Sequence, residues 1–178
     1  EWKVYLNAIN AMYHECPIKI DIVGTIETIS KIDKDILYKC YNTFYNPSNM
    51  AIVICGDFEP EKLLEEIKKR LIPKKANGEI KRIFPEEKHE IVKEKITQSM
   101  DVSQPLFTIG IKDQITDTKE RVKKHIAMEI LLNLLLGRSS KLYKKLYQEG
   151  IIYGVPSLDY EFGKNYAHVL IAGQSKDP

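Results

Sequence analysis

Four stretches of the chain carry apolar residues at spacings of three and four positions, which predicts amphipathic helices. A fifth, shorter helix is predicted after Gly137, capped by Ser139 or Ser140 and ended by Gly150. Leucines widen the apolar stripe of the fourth helix so far that we expect this helix to be heavily buried. The four longer helices cover residues 1–12, 33–45, 60–71 and 117–136.

Other stretches lack helical spacing and predict β-strands. Residues 50–55 form an unbroken apolar run with β-branched residues in its middle, which is typical of a strand covered on both faces. Polar and apolar positions alternate loosely over residues 91–102, which predicts a half-exposed strand. Three more strands are predicted over residues 105–111, 151–160 and 166–172. The order of elements after residue 90 indicates an α+β fold rather than a parallel doubly wound sheet.

Residues 73–90 interrupt this regular pattern. They contain two prolines, an Asn-Gly pair and no sustained periodicity, as a linker between domains does. The chain also begins without methionine inside a helical pattern and ends directly after a predicted strand. We therefore expect two parts joined by a linker, within a longer protein.

Composition and charge exclude several classes of function. Of the 178 residues, 43% are hydrophobic and 29% are charged, as in ordinary globular proteins. The 27 basic and 25 acidic residues are well mixed, so we expect no binding to nucleic acid or to an anionic membrane. No apolar run approaches the roughly 18 residues of a membrane span. Cys16, Cys40 and Cys55 lack metal-type spacing and are interpreted as buried thiols, which predicts a cytoplasmic protein.

The sequence contains no recognisable catalytic or metal-binding motif. His14 and Glu15 begin like H-E-x-x-H, which places two imidazoles one helical turn apart for zinc, but Pro17 breaks the helix and Ile18 replaces the second histidine. The inverted motif H-x-x-E-H follows none of the four histidines. The serine pair before the fifth helix lacks the G-x-S-x-G context of a nucleophile. We therefore predict neither a catalytic residue nor a metal ligand in this chain.

Two segments carry motifs of a known peptidase family. The first contains GTIE at residues 24–27, YNPSNM at residues 45–50 and GD at residues 56–57. The second contains LLGRSSKLY at residues 135–143 and EGIIY at residues 149–153. The chain thereby resembles the insulinase, or pitrilysin, zinc metallopeptidases, which include the mitochondrial processing peptidase. The bacterial processing-protease type is the most similar.

The resemblance implies two insulinase-like α+β sandwich domains. Residues 1–72 would be the C-terminal part of a first, catalytic-type domain, residues 73–90 the linker, and residues 91–178 the N-terminal part of a second domain. Catalytic full-length members of the family are zinc metalloendopeptidases with H-x-x-E-H and a downstream glutamate as third ligand. These residues would lie upstream of Glu1, so the fragment alone is expected to be inactive and to contain no cofactor.

The resemblance also implies a closed chamber for peptide substrates. The residues expected at its wall are Gly137, Arg138, Ser139, Ser140 and Tyr153. The expected partners are a peptide substrate, the remainder of the same polypeptide and a homologous subunit. An alternative is a non-catalytic partner or binding subunit of the same fold, because the family contains such proteins.

Overall fold

The structure is a computed structural model that describes residues 1–72, 75, 78 and 80–178. In this part of the chain, helices and an antiparallel sheet occur together, so the predicted α+β class is confirmed. Two short 3₁₀ helices lie at Pro17–Lys19 and Pro47–Asn49. The longer elements in chain order are α1 (Trp2–Met12), α2 (Ile26–Ile29), α3 (Lys34–Phe44), α4 (Pro60–Arg70), β1 (Leu106–Lys112), α5 (Thr118–Leu136), α6 (Lys141–Gln148), β2 (Ser157–Phe162) and β3 (Ala167–Gln174).

The chain divides into two compact units. The larger unit contains Glu1–Ile22 and Phe84–Pro178, and the smaller unit contains Val23–Ile83. The larger unit therefore combines α1 with α5, α6 and the three strands. The smaller unit contains α2, α3 and α4.

The strands of the larger unit form one antiparallel sheet in the order β1-β3-β2. Because side chains alternate along a strand, β3 contributes one row of residues to each face. Val169 packs in one core with Leu132 of α5. Leu170 packs in the other core with Ile9 and Met12 of α1. The sheet is thus the middle layer between two helices.

Helix α1 packs closely on β1 because the strand has no side chain at Gly110. A Cβ atom placed on Gly110 would lie 2.6 Å from Sδ of Met12. Glycine at this position therefore leaves the space that the Met12 side chain occupies.

The helices of the smaller unit begin as their sequences predict. The Asp33 carboxylate accepts a hydrogen bond of 2.9 Å from the backbone N–H of Ile36, which confirms Asp33 as the cap of α3. Pro60 is the first residue of α4. Proline is tolerated there because the N–H groups of the first helical turn have no hydrogen-bond partner within the helix. The buried Asn46 side chain accepts a hydrogen bond from the N–H of Ser48 and donates one to the carbonyl oxygen of Lys75.

Two predicted strands are wrong. Residues 50–55 and 91–102 form no strand in the structure. The N–H groups of Val92 and Lys93 instead donate to the carbonyl oxygen of Ala11 in α1. Part of the 50–55 run lines an apolar cleft of about 740 Å³ together with α4. A strand requires a backbone partner, and the pattern of side chains does not specify where that partner is.

The predicted burial of α5 is also wrong. Only Leu132 of this helix is buried, and the apolar residues at the predicted four-residue spacing are at least half exposed. The spacing shows that one face is apolar, but elements distant in sequence decide what covers that face.

The prediction that the three cysteines are buried is correct only for Cys16, because Cys40 and Cys55 are exposed.

The predicted linker, residues 73–90, includes residues 73, 74, 76, 77 and 79, which lie outside the described residues. The assignment of residues 1–72 and 91–178 to two peptidase domains stays a prediction. Among the helices that the structure describes, none combines the length and the apolar character that crossing a membrane requires.

Candidate functional site

A cleft of about 510 Å³ lies between the first turns of α1 and one face of the sheet. Its surface is mostly apolar and includes the rings of Trp2 and Tyr5, which stack with their centroids 5.2 Å apart. Two carboxylates of β2, from Asp159 and Glu161, lie in its wall. Concave sites with an apolar lining and a few polar groups are typical binding sites.

The alternation of side chains in β2 brings the two carboxylates to the same face of the sheet. Asp159 is paired with Leu170, and Glu161 with His168, across the β2–β3 ladder. Residues paired in this way share a face, and Leu170 packs against α1. The Ser157 hydroxyl, two residues before Asp159 on the same face, donates a hydrogen bond to the Asp159 carboxylate.

Glu161 is positioned by a fully buried histidine. Its Oε2 atom lies 3.5 Å from Nε2 of His168, which is long for a hydrogen bond. Contact with His168 lowers the pKa of Glu161 below its ordinary value; partial burial opposes this change, and Tyr5 adds to it. Glu161 is therefore an ionised carboxylate at neutral pH.

Tyr13 joins the same histidine to α1. The Tyr13 hydroxyl lies 2.9 Å from Nδ1 of His168 and 3.1 Å from the carbonyl oxygen of Ala167. The ring of Tyr166 stacks on His168 with the centroids 5.8 Å apart. Burial raises the pKa of Tyr13 well above its ordinary value, so the phenol keeps its proton and remains a donor.

A buried ion pair holds the end of α1 against the sheet, outside the cleft. Nζ of Lys112 lies 2.6 Å from Oε1 of Glu87, and the two side chains are 11% and 9% exposed. The Glu87 carboxylate also accepts hydrogen bonds of 2.8 to 2.9 Å from the backbone N–H groups of His14, Glu15 and Cys16. Burial alone would raise the pKa of Glu87, but these donors lower it to about 2.

The five residues predicted to line a substrate chamber lie in two places. Gly137, Arg138, Ser139 and Ser140 form the turn between α5 and α6, where the first and last are buried and the middle two are exposed. Tyr153 is exposed, and the residue after it lines the cleft. In the described chain, no hydrogen bond or ring contact joins Tyr153 to the turn. Contact of these residues with a peptide stays a prediction.

Replacing Ser140 by alanine is expected to lower the local stability of α6 by about 1 kcal/mol. The Ser140 hydroxyl accepts a hydrogen bond of 3.0 Å from the N–H of Tyr143, which confirms Ser140 as the cap. Hydrogen exchange of the Tyr143 amide in the full-length protein measures the effect. Ser139→Ala is the matched control, because Ser139 is exposed and does not cap the helix. Equal protection of Tyr143 in the two variants would contradict the prediction.

The histidines do not converge on a metal site. His125 contacts Glu129 at 3.4 Å and the ring of Phe162, while His168 is enclosed by Tyr13, Tyr166 and Glu161. His14 is half-buried, and its Nε2 has no hydrogen-bond partner in the described chain. Among the residues that the structure describes, no group of three His, Cys, Asp or Glu side chains is placed to hold a metal ion. These residues therefore do not fit zinc, and no catalytic step is assigned to them.

The sequence did not indicate that Asp159 and Glu161 line a cleft or that Glu87 forms a buried ion pair. The carboxylates at positions 159 and 161 alternate within a predicted strand, so their common face could have been found. Glu87 contacts backbone groups more than 70 positions earlier in the chain, and no local pattern signals such a contact.

Comparison with known proteins identifies the family to which this chain belongs. Residues 31–171 match the family model described as the Peptidase M16 inactive domain. The chain belongs to the M16 peptidase family, and its resemblance to the insulinase-type zinc peptidases is thereby confirmed.

Two relatives in particular carry the name of zinc protease. The chain is 35% identical over 182 residues to the uncharacterized zinc protease YmfH of Bacillus subtilis (strain 168), an alignment that covers 100% of this chain and 42% of the relative. It is 22% identical over 178 residues to an uncharacterized zinc protease of Rickettsia bellii (strain RML369-C), covering 98% of this chain and 41% of the relative.

A solved structure has the same fold. The crystal structure of an M16-like peptidase from Alicyclobacillus acidocaldarius superposes with a TM-score of 0.85 at 32% sequence identity, over 99% of this chain and 42% of that protein. The chain therefore has the fold of part of an M16-like peptidase. It spans about two fifths of the length of the relatives that it matches.

Proposed function

We propose that this chain is the scaffold and substrate-chamber wall of a zinc-dependent metalloendopeptidase of the processing type. The zinc ligands and the general base then lie elsewhere in the full-length protein. One observation carries the proposal: residues 31–171 match the inactive domain of the family, whereas the longer relatives are named zinc proteases. Residues 1–178 would then enclose and support the site without holding the metal.

Peptide is the proposed substrate, and Tyr153 and the turn formed by residues 137–140 are the proposed wall residues. For Tyr153, the assignment is supported by its chain neighbour Gly154, which lines the cleft. The remainder of the same polypeptide is the proposed partner of the exposed apolar surfaces, namely α5 and the apolar cleft beside α4. A homologous subunit is a second proposed partner. The proposed location is the cytoplasm, where the three free cysteines would remain reduced.

Zinc content and peptide hydrolysis test the proposed function. The full-length protein is expected to bind about one zinc ion per chain and to hydrolyse an unstructured peptide, and a chelator should abolish the hydrolysis. Residues 1–178, prepared alone, are expected to bind no stoichiometric zinc and to cleave nothing. Metal analysis by mass spectrometry and a fluorescence-quenched peptide provide the two measurements.

Two results would contradict this proposal in different ways. One tightly held zinc ion on residues 1–178 alone would place metal ligands inside them. A full-length protein that binds no zinc and cleaves no peptide would instead favour the non-catalytic partner subunit.

A further inference from the structure

The cleft between α1 and the sheet has the size of a small-molecule site. Its volume of about 510 Å³ lies within the roughly 300 to 1,000 Å³ that is typical of such sites. Leu170 and Ala172 of β3 form part of its apolar floor, and the stacked rings of Trp2 and Tyr5 form part of its wall. A ligand with a hydrocarbon part would therefore remove apolar surface from water in this cleft.

The charged side chains that line the cleft are all negative. They are Glu1, Asp159 and Glu161, and within the described part of the chain no lysine, arginine or histidine lines the cleft. Lys112 lies on the same face of the sheet, but its ammonium group is paired with the carboxylate of Glu87. Asp159 is exposed and the Glu161 side chain is 39% exposed, so both carboxylates are accessible to a ligand. The cleft therefore favours a cation.

A buried histidine supports one of these carboxylates from inside the fold. His168 is fully buried, and its Nε2 atom lies 3.5 Å from Oε2 of Glu161 and has no hydrogen-bond partner within the described chain. The Tyr13 hydroxyl fixes the other ring nitrogen, so Nε2 is directed at the carboxylate that lines the cleft. Contact with His168 favours the ionised form of Glu161. A carboxylate that is held ionised in the wall of a cleft is suited to bind a cation.

The spacing of the two carboxylates on β2 matches a ligand with two charges. Asp159 and Glu161 are two positions apart on one face, which places them about 7 Å from each other along the strand. Four methylene groups between two ammonium nitrogens, with single bonds of about 1.5 Å, span about 6 Å when extended. Among the described residues, no group of three His, Cys, Asp or Glu side chains is placed to hold a metal ion. The two carboxylates therefore fit two separate organic charges better than one metal ion.

We propose that this cleft binds a small organic dication, a linear aliphatic diamine of about four or five carbon atoms. Its two ammonium groups lie beside Asp159 and Glu161, and its methylene chain lies on the apolar floor beside the rings of Trp2 and Tyr5. An ammonium group near an aromatic ring gains a further attraction from the negative face of the ring. The inference goes beyond the proposed function, because this site would bind its ligand without zinc and without a peptide substrate.

Calorimetric titration of the full-length protein tests the proposal, with zinc removed by a chelator so that no amine binds to the metal. Three ligands with the same four-carbon chain are compared: 1,4-diaminobutane with two positive charges, butylamine with one, and succinate with two negative charges. The diamine should bind at least about threefold more tightly than butylamine, because only the diamine pairs with both carboxylates. Succinate should not bind. A higher salt concentration should weaken binding of the diamine.

Substitutions then assign the binding to the cleft. Asp159→Asn should weaken binding of 1,4-diaminobutane roughly threefold, and Asp159→Asn with Glu161→Gln about tenfold. Glu94→Gln with Asp101→Asn is the matched control, because both are exposed carboxylates outside the cleft, and it should change nothing. The single Asp159 variant guards against misfolding, because Asp159 is exposed and the substitution keeps the shape of its side chain.

Three results would overturn the inference: equal affinity for the diamine and butylamine, unchanged affinity in the double cleft variant, or no binding of the diamine because another segment of the protein fills the cleft. The measurements also separate this inference from the proposed function. Diamine binding by a protein that hydrolyses no peptide after zinc is restored would leave the cleft assignment in place and refute the peptidase. Zinc-dependent hydrolysis by a protein that binds no diamine would do the reverse.

Discussion

Replacing Glu87 by glutamine is expected to lower the free energy of opening around the end of α1 by about 2 to 3 kcal/mol at neutral pH. Glu87 is almost buried and accepts hydrogen bonds from Lys112 and from three backbone N–H groups. The lowering of its pKa from 4.5 to about 2 corresponds to roughly 3 kcal/mol of preferential interaction with the charged form. A neutral amide would also leave the Lys112 ammonium group without its carboxylate partner.

Hydrogen exchange in the full-length protein measures the free energy of opening around the end of α1. The amides of His14, Glu15 and Cys16 donate to Glu87, and they should exchange roughly 30-fold faster or more in the variant. Glu86→Gln is the matched control, because Glu86 is the exposed neighbour in the same segment. Unchanged protection of the three amides in Glu87→Gln would refute a stabilising role for this ion pair.

The lowered pKa of Glu87 also predicts that the protein loses stability in acid. Because the folded-state pKa of Glu87 is lower than its ordinary value of 4.5, its contribution is complete above about pH 4.5 and is lost as the pH falls towards 2. The difference in stability between the unmodified protein and Glu87→Gln should therefore shrink across this range. Denaturant unfolding at a series of pH values gives the comparison. A difference that stays constant from pH 7 to pH 2 would contradict the assignment.

Replacing Gly137 by alanine is expected to destabilise the end of α5 by about 2 kcal/mol. A Cβ atom at this position would lie 2.4 Å from the backbone carbonyl oxygen of Asn133, which already accepts a hydrogen bond from the N–H of Gly137. The clash involves backbone of the last helical turn, so no rotation of a side chain can relieve it. Exchange of the amides of residues 134–137 should accelerate.

Gly154→Ala is the matched control for this substitution. No atom lies within 4 Å of the position that a Cβ would take at Gly154, and its φ angle is not positive. This variant should be as stable as the unmodified protein. Equal stability of the Gly137 and Gly154 variants would show that the turn yields to the added methyl group.

Several elements follow from the sequence because their causes are local. The apolar spacing of α1, α3, α4, α5 and α6 predicts these helices, and Asp33 and Ser140 cap α3 and α6 through hydrogen bonds to N–H groups three residues later. The motifs at residues 45–50 and 135–143 likewise indicated the peptidase family without any structure.

Other features could not be predicted, because they join residues far apart in the chain. The run at residues 50–55 has the composition of a buried strand, yet it forms no strand among the described residues, since composition does not provide a backbone partner. The apolar stripe of α5 indicates a face to be covered but not what covers it, and most of it is exposed. Glu87 is an ordinary charged residue in a segment without periodicity, and only the folded chain reveals its four donors.

The sequence by itself determined the longer helices, the caps of α3 and α6, the α+β class and the family of this protein. These depend on side-chain patterns and hydrogen bonds within a few residues. The tertiary structure alone decided that two carboxylates of an edge strand face a cleft beside α1, and that a buried ion pair holds the end of that helix. Both arrangements bring together groups from separate segments, and their energies depend on burial and charge partners that exist only after the chain has folded.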